Sequence, residues 1–130
     1  MSGTKRFRTP LKNARGLGSA KEGMHHWLVQ RYTAVALIFL ASWFLYFVIS
    51  LIHADYLAAT DAIAKPWNAI ALVAFLVAMF WHAQLGVQVV LEDYVHTPLL
   101  AIAAQTVVRF ICILGALASV YAVVRIALGN

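Results

Sequence analysis

Charge is scarce in this chain, and the usual residues of a soluble catalytic centre are scarcer. Five acidic residues stand against ten basic ones among 130. The one cysteine, Cys112, sits in an apolar run. A single thiol closes no internal disulfide and forms no CxxC knuckle, so Cys112 reads as helix packing. The chain contains no GxGxxG, no P-loop and no HExxH. It therefore has no recognisable means of holding a nucleotide, a flavin or an iron–sulfur centre. If it takes part in a redox reaction, the electrons come from elsewhere. The apolar runs do not alternate with polar residues, which excludes barrel strands. No internal repeat is visible.

What is present is membrane-like. The composition is 63% apolar and 12% charged, with a mean hydropathy of +0.81. A soluble domain is about half apolar. With about 20 residues needed per crossing, the length allows three or four spans. Three apolar runs fit, at about 27–52, 66–91 and 103–128. The expected fold is thus an all-α membrane protein of three transmembrane helices, with no soluble domain. Pro66 suits the first position of the second helix. Residues 53–65 are read as the loop before it. Gly115, Ala116, Ala118 and Ser119 make a small-residue patch suited to close helix contact. Arg109 and Arg125 lie near the ends of the third run, where they can snorkel to headgroups.

The net charge is +5, and most of it lies at one end. Lys5, Arg6, Arg8, Lys12, Arg15 and Lys21 all precede Met24, with Glu22 as their one opponent. Residues 1–23 are expected to form an irregular basic arm ahead of a membrane unit over 24–130. A basic tail beside a span sets orientation more often than it binds nucleic acid. No nucleic-acid partner is expected; membrane lipid is. The arm does not resemble a cleavable signal peptide, because no short apolar region with an Ala-x-Ala site follows it. The loop after the first span carries far fewer cations, so the N-terminus is expected in the cytoplasm and the C-terminus in the periplasm.

The stretch around which the chain is organised runs from Trp81 to Tyr94. His82 lies inside the second span, roughly 14 Å along the helix from Leu91. An imidazole at that depth needs a partner. Metal or haem ligation and proton relay are its functional uses; a bond to a hydroxyl on a neighbouring helix is the structural alternative. Gly86, one turn on, leaves room beside it for something as wide as a porphyrin. Asp93 follows by eleven residues, which is about 16 Å along the helix and only about 20° around it. Tyr94 beside it offers a phenol donor. Asp93 and Tyr94 also suit an ordinary helix exit with an interfacial aromatic. Arg31, six residues after His25, wants an anion at its depth, either a phospholipid headgroup or a cofactor carboxylate.

The pattern His82-Ala83-x-x-Gly86-x-x-x-Val90-Leu91-x-Asp93-Tyr94 resembles the second-helix motif of the smaller hydrophobic membrane anchor of succinate dehydrogenase, respiratory complex II. The entry to the first span, with His25, Arg31 and Thr33, is similar to that family as well. So are the three-span plan and the basic arm. The resemblance implies an anchor subunit of succinate:ubiquinone oxidoreductase, not catalytic alone. His82 would be one axial ligand to the iron of a haem b shared with a second membrane anchor subunit. Arg31 would pair with a haem propionate, assisted by His25 or its neighbour His26. Tyr94 would hydrogen-bond a ubiquinone carbonyl, with Asp93 close by to deliver protons. The partners would include the iron–sulfur subunit and the flavoprotein subunit, and the location would be a bacterial inner membrane, multi-pass. Two alternatives stay open: an anchor of the fumarate reductase type, and a structural or transport subunit of three helices without haem.

Overall fold

A computed structural model describes residues 20–129, and these form four helices. The basic arm therefore lies outside the described residues as far as residue 19. We label the helices α1 (Ala20–Ser50), α2 (Tyr56–Ala64), α3 (Pro66–Tyr94) and α4 (Pro98–Ala127). No strand occurs among the described residues. Three helices are long and apolar enough to cross a membrane, over Met24–Ser50, Pro66–Tyr94 and Pro98–Ala127. The expected three-span architecture is present.

The differences lie at the connections. The segment read as a plain loop after the first span contains α2, a helix of nine residues. Asp55 starts it: the carboxylate Oδ1 accepts the Ala58 backbone N–H at 2.8 Å, satisfying one of the free donors of the first turn. Lys65 ends it. The residue before a proline is pushed out of the α region, and Lys65 has φ −60° and ψ 128°. The helix restarts at once with Pro66 in its first turn. Pro98 does the same for α4, which begins five residues before the expected Ala103. At the end of α3 the helix continues through Glu92 and Asp93 to Tyr94, so the turn to α4 is Val95-His96-Thr97 alone.

Packing is a row rather than a ring. α3 contacts both α1 and α4, whereas α1 and α4 do not meet. The short α2 rests on α3 and α4. The buried apolar side chains are Phe47 of α1 with Leu72, Phe75 and Leu85 of α3. Phe44 stacks on Phe75 with ring centroids 4.5 Å apart, which fastens α1 to the first half of α3. On the other flank, Gly115 of α4 admits the Phe80 ring: a Cβ there would lie 2.7 Å from Phe80 Cε1. Glycine at this position lets the two helices approach closely. Large apolar side chains elsewhere point outward, including Ile38, Phe39, Phe110 and Leu114. That is the surface expected of helices whose solvent is lipid.

Candidate functional site

Polar residues gather in a cleft between α1 and α3. The cleft has a volume of about 520 Å³ and is lined by His26, Trp27, Gln30, Arg31, Ala34, His82 and Val89. The α1 side follows from helical spacing: His26, Gln30 and Ala34 are four residues apart and share one face, with Trp27 and Arg31 one step round. On α3, His82, Gly86 and Val89 fall on the facing side. Gly86 lies beside Gln30: a Cβ on Gly86 would stand 3.9 Å from Gln30 Nε2, an ordinary contact.

His82 is half-buried. Its Nδ1 lies 3.0 Å from the Thr33 hydroxyl of α1. The structural alternative for this histidine, a bond to a hydroxyl on a neighbouring helix, is therefore present. It engages one ring nitrogen and leaves Nε2 for another use. The Arg31 guanidinium carbon stands 5.3 Å from the Trp27 ring centroid, a cation–π contact. No carboxylate among the described residues pairs with Arg31. Two buried polar atoms at the cleft have no hydrogen-bond partner among the described residues, His26 Nε2 and Gln30 Oε1. Orphaned polar atoms of this kind mark a place completed by something else.

Of the residues singled out in the sequence, Arg31 and His82 thus come together. His25 is exposed and does not line the cleft; its neighbour His26 does. Adjacent residues on a helix differ by about 100° in direction, so one of the two faces α3 and the other turns away. Asp93 and Tyr94 sit apart from the cleft in the last turn of α3, and Tyr94 is 78% exposed. Beside them Gln88 Nε2 donates to Glu92 Oε1 at 2.8 Å. Gln30 went unnoticed in the sequence. Its signal was the four-residue spacing to His26 and Ala34, a polar stripe ending on a small residue.

The donor set limits what the cleft can hold. Among the described residues no three His, Cys, Asp or Glu side chains come together in a group that could hold a bare metal ion. An iron porphyrin asks for less, one imidazole from each side and cations for its carboxylates. His82 offers the imidazole and Arg31 the cation. The unpartnered nitrogen of His26 is a further donor or acceptor on the same wall.

The comparisons with known proteins bear on the family of the chain. Residues 5–122 match a family described as succinate dehydrogenase/fumarate reductase transmembrane subunit. A succinate dehydrogenase hydrophobic membrane anchor subunit of Rickettsia bellii is 40% identical over 89 residues, 68% of this chain and 71% of the relative. One from Rickettsia conorii is 35% identical over 117 residues, 89% of this chain and 93% of the relative. One from Paracoccus denitrificans is 32% identical over 127 residues, 95% of each. No solved structure gives a significant match.

Proposed function

The chain belongs to the transmembrane-subunit family of succinate dehydrogenase and fumarate reductase, as a multi-pass membrane anchor, and on that footing we propose that it shares a haem b with a partner anchor subunit and forms one wall of a ubiquinone-reduction site. The relatives are named for succinate dehydrogenase, which favours succinate oxidation as the reaction of the whole complex. The soluble flavoprotein and iron–sulfur subunits would supply the electrons, since this chain has no motif for either cofactor. Bacterial relatives support a bacterial inner membrane. The six cations ahead of Met24 support a cytoplasmic N-terminus.

One observation carries the reading: His82 and Arg31 line a single cleft that also holds the unpartnered His26 Nε2 and Gln30 Oε1. When bound, haem b supplies a one-electron carrier in the membrane interior. His82 would hold its iron through Nε2, because Nδ1 is engaged by Thr33. Arg31 would hold one of the haem carboxylates, its guanidinium carbon standing 5.3 Å from the Trp27 ring centroid. Ubiquinone reduction consumes two electrons and two protons. Tyr94 donates a hydrogen bond to a quinone carbonyl and stabilises the charge that grows on its oxygen. Asp93, exposed at the same helix end, takes protons from water and passes them on. The exposure of both residues in the isolated chain fits a site whose other walls come from neighbouring subunits.

The test is a reduced-minus-oxidised difference spectrum of the purified complex. A b-type band is expected, and His82→Ala should abolish or displace it. Absence of the band, or a band unaltered by the substitution, removes the haem reading and leaves a plain three-span anchor.

A further inference from the structure

Thr33 stands in an unusual position for a membrane threonine. Its Oγ1 is 2.9 Å from the Val29 carbonyl oxygen and 3.0 Å from that of Gln30, both on its own helix. Threonine in an apolar helix often returns its hydroxyl proton to such a carbonyl. That habit explains two of its contacts. It leaves the third unexplained, the 3.0 Å approach to His82 Nδ1 across to α3.

The hydroxyl has one proton, and the three contacts decide where it goes. If it pointed at Nδ1, the bare oxygen would face two carbonyl oxygens at about 3 Å with no hydrogen between them. If it points at the α1 backbone, that repulsion disappears, and Nδ1 must be the donor across the gap. We infer that Thr33 is a positioning residue for His82. It accepts Nδ1–H and so holds the ring in one orientation, with Nε2 as the nitrogen left to act as an acceptor. The nitrogen made available in this way is the one the proposed haem would need, so the inference rests on that reading. The bond also matters electronically. An imidazole whose N–H has an acceptor is a stronger donor to iron. The chain Val29 carbonyl–Thr33 hydroxyl–His82 ties the orientation of the ring to the backbone of the neighbouring helix.

The experiment uses the purified complex with Thr33→Val, which keeps the shape and removes the hydroxyl, and Thr33→Ser, which keeps the hydroxyl. Haem loss to an apomyoglobin scavenger and the haem midpoint potential are both measured. The valine variant should hold haem about tenfold less tightly. Its potential should rise, because a weaker ligand stabilises ferric iron less. The serine variant should stay close to the parent on both scales. A valine variant equal to the parent overturns the inference, and so does a serine variant as impaired as the valine one. If the valine variant does not assemble, Thr33→Ala is read on the same two scales by the same criteria. His82→Ala separates the levels. If it loses the haem band while Thr33→Val keeps the parent's retention and potential, only the role of Thr33 falls. If it keeps the band, the haem reading itself falls.

Discussion

The two flanks of α3 are built on opposite plans. Toward α4 the surface is closed: Phe80 seats on Gly115 with no room for even a Cβ. Toward α1 it is closed over the first half by Phe44 on Phe75, then opens into a polar cleft around His82. Each flank has a glycine, in different surroundings. Gly115 removes a side chain so that an aromatic ring of the same protein can fill the space. Gly86 has room for a Cβ, which would meet only Gln30 Nε2 at 3.9 Å. A small residue in a membrane helix thus does not by itself say that something comes close; the neighbouring element decides.

Four further measurements bear on this contrast. The largest effect is expected at the open flank. Arg31→Leu removes its cation, and a propionate left without its charge partner should be held about tenfold or more less tightly. Full haem occupancy under scavenger challenge would take Arg31 off the site. Next come the two glycines, tested by one substitution. Helix propensity favours alanine equally at both, so it cancels in the comparison. Gly115→Ala forces the Phe80 ring to move, whereas Gly86→Ala meets nothing closer than 3.9 Å. Thermal unfolding of the complex should therefore place Gly115→Ala below Gly86→Ala by about 1–3 kcal/mol. Equal stabilities would mean that the closed flank is no tighter than the open one. The smallest effect is at the helix end. Tyr94→Phe deletes one neutral hydrogen bond, about 1 kcal/mol, so quinone reduction should fall roughly fivefold. Electron transfer from succinate to a soluble artificial acceptor should persist. Unchanged quinone turnover would count against Tyr94.

The spans were legible because uncharged runs of membrane length have few other uses. α2 was not, although Asp55 and Lys65-Pro66 bracket it with a cap and a stop; its nine residues were overshadowed by the long runs on either side. At the site, His82 and Arg31 could be named from the sequence because ionisable groups within apolar runs are rare. Their neighbours could not. α1 is apolar nearly all round beyond Thr33, and the polar residues near its start, His25, His26, Gln30 and Arg31, spread over more than one face, so only the short His26-Gln30 spacing hints at which side turns toward α3. The choice between His25 and His26 depends on that rotation, and so does the meeting of Thr33 with His82. Contacts 49 residues apart are properties of packing, not of local pattern.

The row order of the helices has a mechanical consequence. Because α1 and α4 do not pack together, a push on α4 reaches His82 as a roll or slide of one rod, α3, on which the short α2 also bears. Substitutions along α4 that leave that rod unmoved should be silent at the imidazole. Those that turn it should register there even from the far side of the molecule.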